Sequence, residues 1–146
     1  MSFSDLFKKR APSETDIGQI GRLGEDLAAK YLKKKGYRIV GMRVHAGNSE
    51  LDLIATKADT LVFVEVKTRT VKTDEDALTR PADAVNSSKI TYLIRGANRF
   101  CRENADKYAS FFKRFDIIEV YLEKKGARTV CKEIRHFENA IVNGAK

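Results

Sequence analysis

Glu50-Leu51-Asp52-Leu53-Ile54-Ala55 and, a few residues on, Leu61-Val62-Phe63-Val64-Glu65-Val66-Lys67 are apolar runs broken by charge. Both have the length and composition of strands. Lys57-Ala58-Asp59-Thr60 between them reads as a tight turn. If Ala58 and Asp59 are the turn residues of a hairpin, facing positions have numbers that sum to a constant. Asp52 then faces Glu65, Glu50 faces Lys67 and Ile54 faces Phe63. Period-two alternation puts Glu50, Asp52 and Ile54 on one face of their strand, with Phe63, Glu65 and Lys67 on the same face of theirs.

Directly opposed carboxylates destabilise a sheet, so this pair needs a proton, a lysine or a cation. A divalent metal is the most economical choice, because Mg²⁺ commonly takes one or two carboxylates and keeps several waters beside substrate phosphates. A lone Glu-x-Lys on a strand ordinarily just faces water. The Asp on the paired strand is what sets this one apart.

Ser13-Glu14-Thr15-Asp16 after Pro12 resembles a capping box, and Ile17, Ile20, Leu23, Leu27, Ala28, Tyr31 and Leu32 form the apolar stripe of an amphipathic helix. Lys33, Lys34 and Lys35 suit its carboxyl end, and Gly36 stops it. Glu25 falls at the edge of the stripe and can reach a site that Asp26 cannot. Gly18, Gly21 and Gly24 follow no strand and match no nucleotide fingerprint, so they read as places where other backbone approaches closely. A second helix is expected from Pro81 to about Asn104, with its stripe at Ile90, Leu93, Ile94, Ala97, Phe100 and Cys101. Lys89 at its edge fits a snorkelling lysine and a phosphate contact equally well. Arg95, Arg99 and Arg102 fall on its polar face and read as solvated surface. Tyr37 to Val44, Phe115 to Leu122 and Arg128 to Ile134 read as further strands, the last two joined by a turn at Lys124-Lys125-Gly126. The order is helix, three strands, helix, two strands: an α/β domain with a mixed sheet.

Gly24-Glu25, Glu50-Leu51-Asp52-Leu53-Ile54-Ala55, Phe63-Val64-Glu65-Val66-Lys67-Thr68-Arg69, Lys89 and Arg114-Phe115-Asp116, in that order, resemble the YraN-like family of small bacterial proteins. That family is grouped with the restriction-endonuclease-like PD-(D/E)xK nucleases, near the archaeal Holliday junction resolvases. The resemblance runs from about Ile17 to Ala140. It departs from the pattern at Ser49, where the family commonly has Gly, and at Leu51, where the superfamily motif has Pro. Neither change removes a charged group.

The resemblance implies a restriction-endonuclease-like fold, a central mixed β-sheet flanked by α-helices, and metal-assisted hydrolysis of a phosphodiester. Asp52 and Glu65 would bind Mg²⁺ or Mn²⁺, with the backbone carbonyl of Val66 as a further ligand. Lys67 would orient and help deprotonate the attacking water and stabilise charge on the phosphate. Glu25 would complete the acidic site, directly or through a water, while Lys89 and Arg69 would hold phosphate. The expected activity is a DNA endonuclease, with branched or flapped DNA suggested by the resolvases. The alternative is a nucleic-acid-binding or protein-interaction module that keeps the fold and does not cut. Related nucleases often act as dimers, so a homodimer is among the expected states, although no interface is legible.

The chain has 146 residues, enough for a single domain with a real core. Residues 1–12 are expected to be a flexible tail, although Phe3, Leu6 and Phe7 with Lys8-Lys9-Arg10 would also suit a short basic amphipathic arm. Residues 13–146 are expected to form the domain. An excess of 28 Lys and Arg over 20 Asp and Glu gives a net charge of +8, which favours a polyanionic partner, nucleic acid and DNA first. Ribosomal or membrane-surface partners would fit that number as well. No segment approaches transmembrane length, and Met1 to Leu6 lacks a signal-peptide core, so the expected setting is the cytoplasm with no membrane partner. Val71 to Arg80, with Asp74-Glu75-Asp76 at its centre, reads as an exposed connector beside the site. Cys101 and Cys131 lack zinc-ligand spacing with each other or with His45 and His136, and read as buried thiols.

Overall fold

A computed structural model describes residues 17–71 and 87–141. The expected tail, the capping box at Ser13, the acidic connector after Val71 and the Pro81 helix start lie outside them. Helix α1 (Ile17–Lys34) leads into strands β1 (Arg38–Ala46), β2 (Ser49–Lys57) and β3 (Thr60–Val71). Helix α2 (Ser87–Glu103) and a single turn, α3 (Ala105–Tyr108), precede β4 (Phe112–Lys125) and β5 (Arg128–Phe137). The turn α3 was not anticipated, since four residues are too few to show a periodicity.

The strands form one five-stranded sheet in sequence order. Neighbours are antiparallel except β3 and β4, which run parallel. A parallel pair needs a crossover, and α2 and α3 supply it between β3 and β4. The fold is thus α/β with a mixed sheet between helices, in agreement with the restriction-endonuclease-like architecture.

Among the described residues each face of the sheet buries one long helix. Leu27, Ala28, Ala29 and Leu32 of α1 pack on Leu53, Ala55, Val62, Val64, Ile118, Val120 and Leu122. On the other face Leu93 and Ala97 of α2 pack on Leu51, Ile54, Leu61, Phe63 and Phe115. Apolar burial on two faces explains why the central strands read as nearly continuous hydrophobic runs. Helix α1 ends where expected: the Gly36 N–H donates to Lys33 O at 3.1 Å and the Tyr37 N–H to Leu32 O at 3.0 Å, with Gly36 at φ +91°. Among the described residues no helix is long and apolar enough to cross a membrane.

The hairpin register holds where it can be followed. Ile54 pairs with Phe63 and Lys57 with Thr60 around the Ala58-Asp59 turn, Ala58 adopting φ +53°. The strict alternation does not hold. Leu51 and Ile54 pack on the α2 face whereas Leu53 and Ala55 pack on the α1 face, so the side-chain phase shifts at Asp52. β1 shifts at the matching point, Met42 packing towards α1 and Val44 towards α2. Between the rungs Met42–Leu53 and Val44–Leu51, Arg43 and Asp52 drop out of the ladder, and Arg43 has φ +49°. A left-handed residue of this kind re-aims the strand. Glu50, Asp52 and Ile54 therefore do not share a face. Glu50 pairs with His45 on β1, and the β2–β3 ladder ends at Leu53–Val64 before it could bring Glu50 opposite Lys67.

Candidate functional site

The site forms where β2 and β3 part. Main-chain pairing ends at Leu53–Val64, and beyond it Asp52 Oδ2 accepts the Val66 N–H at 2.9 Å. A side chain thus takes over from the strand ladder. This brings the Asp52 and Glu65 carboxyl groups side by side, close enough to interact directly. Burial pushes the Asp52 carboxyl up to about 7, and the adjacent Glu65 charge and hydrogen bonding push the same way, with a smaller part from Glu25. The Val66 N–H opposes the rise without cancelling it.

Glu65 is only 7% exposed. Its Oε2 lies 3.3 Å from Lys89 Nζ on α2, and among the described residues its buried Oε1 has no hydrogen-bond partner. A carboxylate oxygen in that condition is costly unless something positive or a proton meets it. Two adjoining acids, one proton-retaining and one with an unmet oxygen, form a donor set that suits a hard divalent cation. Among the described residues no group of three or more His, Cys, Asp or Glu side chains is gathered to hold a metal. Any ion here would rely on two carboxylates and on oxygens other than side-chain acids.

Lys67 follows on β3, half-buried and in register with Glu119 on β4. Among the described residues it has no hydrogen bond or ion pair. Arg69 lies two residues further on, in register with Tyr121 and near enough for its charge to act on that phenol. It sits about 13 Å along the strand from Glu65, so Lys67 stands between them. Lys89 reaches the site, although it meets Glu65 there.

Glu25 approaches from α1. Its Oε1 accepts from Arg43 Nη1 at 2.7 Å, while Asp26 is more exposed and 3.8 Å from the same guanidinium. Glu25 is thus the more buried of the two, and both face Arg43. Of the three glycines on α1, only Gly24 makes a close approach, to the Thr68 side chain of β3, which a Cβ at 24 would overlap. Gly18 and Gly21 face open space.

Two participants were missed. Arg43 escaped notice because a lone arginine in a strand has no periodicity to mark it, and its role depends on its left-handed backbone. Glu119 was legible: it interrupts Ile117-Ile118-Glu119-Val120 as Asp52 and Glu65 interrupt their runs. It is fully buried, with Oε1 bonded by the Tyr121 hydroxyl at 2.7 Å and, among the described residues, Oε2 without a partner.

His136 Nε2 lies 2.8 Å from Asp116 Oδ2, and His45 is exposed beside Glu50. Cys101 and Cys131 are half-buried on opposite faces of the sheet, and burial raises both thiols.

Comparison with known proteins supplies the lineage. A UPF0102 protein of Alkaliphilus oremlandii is 40% identical over 123 residues, spanning 84% of this chain and 97% of that protein. One of Porphyromonas gingivalis is 39% identical over 126 residues, 86% of each chain. A third, of Caldanaerobacter subterraneus, is 36% identical over 122 residues, 84% of this chain and 93% of its own. The family model for "Uncharacterised protein family UPF0102" matches residues 24–120, a stretch that opens at Gly24 beside Glu25 and takes in Asp52, Glu65, Lys67 and Lys89. With the acids, the lysines and most of the sheet inside that match, the chain belongs to the UPF0102 family, the YraN family of the sequence resemblance.

Proposed function

We propose that the protein is a divalent-metal-dependent nuclease that hydrolyses phosphodiester bonds in DNA. The observation that carries this reading is the pairing of Asp52 with Glu65 at the fork of β2 and β3, with Glu65 Oε1 buried and unmet and Asp52 raised to about 7. Acids left under-neutralised in a sheet are a mark of a functional site. Asp52, Glu65 and the Val66 carbonyl would hold Mg²⁺ or Mn²⁺. When bound, the ion supplies Lewis acidity and acidifies water.

The remaining work falls to the chain. Lys67, a cation on the strand that carries Glu65, orients the attacking water and offsets the negative charge that builds on the phosphate. Glu25 adds negative charge from α1, and Arg43 fixes its carboxylate. Lys89 and Arg69 position phosphate at either side of Lys67. Lys89 must exchange part of its contact with Glu65 for substrate.

A second reading is a nucleic-acid-binding module that does not cut. The observation in its favour is that Lys89 and Arg43 already stand as counter-charges to Glu65 and Glu25.

The two readings separate when labelled linear, single-stranded, flapped and four-way DNA are incubated with the protein in Mg²⁺, Mn²⁺ or EDTA. Under the nuclease reading cutting requires metal and falls at least about 1,000-fold in Asp52→Ala and Lys67→Ala. Equal cutting by Asp52→Ala would sink the site. Binding without cutting on every substrate supports the second reading.

A further inference from the structure

Helix α2 presents one continuous row of side chains leading away from the acids. Lys89, Tyr92, Arg95, Arg99 and Arg102 recur at steps of three and four, which keeps them on one side of the helix. The row spans about 20 Å at 1.5 Å per residue. Its near end is tied to the site, since Lys89 Nζ lies 3.3 Å from Glu65 Oε2.

The three arginines read in the sequence as ordinary solvated surface, but they line a cleft of about 390 Å³ against the β1–β2 turn. Gly47, Asn48 and Ser49 form the facing wall, and among the described residues no acidic side chain lines the cleft. Its shape is fixed by close packing. A Cβ at Gly96 would lie 2.8 Å from the Ser49 Cβ, and the Ser49 hydroxyl donates to Tyr92 O at 2.6 Å. Gly47, at φ +65°, lets the turn come down on Arg99, where a Cβ would lie 3.2 Å from Nη1. Among the described residues only Arg99 of the three arginines has an ion pair, with Glu103 at 3.1 Å at the cleft's edge. Tyr92 stands half-exposed at 50% at the mouth nearer the acids.

We propose that this row is a binding track for a single-stranded nucleic acid, the three arginines taking successive phosphates and Tyr92 stacking on an unpaired base. A positive groove with an aromatic platform is the chemistry that holds single strands. An exposed ring needs a free base face, which a closed duplex does not offer. The track rests on the nuclease reading for its meaning: the substrate carries a single-stranded tail or flap that α2 leads into the acids. Its binding does not require that cutting occur.

The test is fluorescence anisotropy of a labelled oligothymidylate 12-mer in EDTA over a range of salt. Arg95→Ala/Arg99→Ala/Arg102→Ala should bind at least tenfold more weakly, with a log–log salt slope shallower by about 2, as expected for three lost phosphate contacts on a single strand. Tyr92→Ala should weaken binding at least fivefold with the slope unchanged. The blunt duplex of equal length should compete poorly. A triple variant within twofold of wild type at an unchanged slope overturns the track. So does competition by the duplex, or by phosphatidylglycerol vesicles, equal to that of the single strand. If the triple variant fails to fold by circular dichroism, Arg95→Ala and Arg102→Ala are read singly, each expected to lower the slope by about 0.7. Arginine-dependent binding with no cutting on any DNA overturns the nuclease reading alone.

Discussion

Asp52 and Asp116 are both acids set within sheet strands, and the molecule treats them in opposite ways. Asp116, fully buried, takes a bidentate contact from Arg114 at 2.9 and 2.8 Å, His136 Nε2 at 2.8 Å and the Asn139 N–H at 2.9 Å. Burial raises its carboxyl, but these partners outweigh that and hold it below the usual carboxylate range. Asp52 has one main-chain N–H and a second acid for a neighbour, and it is raised to about 7. The same cost of desolvation is met at one place and left standing at the other. The first acid is neutralised within the fold, and the second keeps its cost, as the proposed cation site requires.

The sharpest way to break this contrast is Asp116→Asn. It leaves Arg114 with the exposed Glu138 at 3.5 Å as its counter-charge and weakens the His136 contact, and it should cost about 3–5 kcal/mol, since breaking one side of a buried pair is far worse than never having it. Urea unfolding at pH 7 measures it; a loss under about 1 kcal/mol would mean the network is mere surface electrostatics. The acid limb sharpens the point. The folded Asp116 value is depressed, so its contribution is present above an unfolded value near 3.8 and lost as pH falls through the folded one. Asp116→Asn should flatten the stability curve in that acidic range.

Asp52→Asn should do the reverse. Its folded value is raised, so the protonated form favours the fold: that contribution is present below about 3.8 and lost as pH rises to about 7. A neutral amide escapes the loss. Metal-free Asp52→Asn should therefore gain about 1–4 kcal/mol at pH 8, shrinking towards zero by pH 4. Paired urea titrations at the two pH values check it, and a destabilised variant at pH 8 would show that the carboxylate is already satisfied.

A smaller effect separates the two acids by ligand. Mg²⁺ at ten times its dissociation constant should stabilise wild type by about 1.4 kcal/mol, leave the increment intact in Asp116→Asn and abolish it in Asp52→Asn. Thermal melts with and without EDTA read this directly. Equal shifts in all three proteins would place the ion elsewhere.

What the sequence made legible followed from local rules. The Ala58-Asp59 turn set the register, and Ile54 against Phe63 could be read from it. Gly36 with the lysines before it ended α1 as expected. The phase shift at Asp52 was hidden, because it depends on Arg43 turning left-handed on a strand that does not adjoin β3. Glu25 was placed at the edge of the apolar stripe by helical spacing, but its partner Arg43 lies 18 residues away at the left-handed point of β1. Arg95, Arg99 and Arg102 showed their polarity and not their cleft, which exists only once Gly96 lets β2 close on the helix. Asp116 was noticed as part of a motif. Its role needed His136 and Asn139, which the chain brings in from β5 and just beyond it.

Gly24 has a consequence for how this site can vary. Because α1 rests directly on the Thr68 side chain there, with no space for a Cβ, the gap between Glu25 and the sheet is set by contact and no rotamer can adjust it. A methyl at 24 would act as a shim, lifting the helix while every charged residue stayed in the sequence. Such a protein would keep its ingredients and lose their spacing, so an intact set of acids in a relative is no guarantee of an intact site.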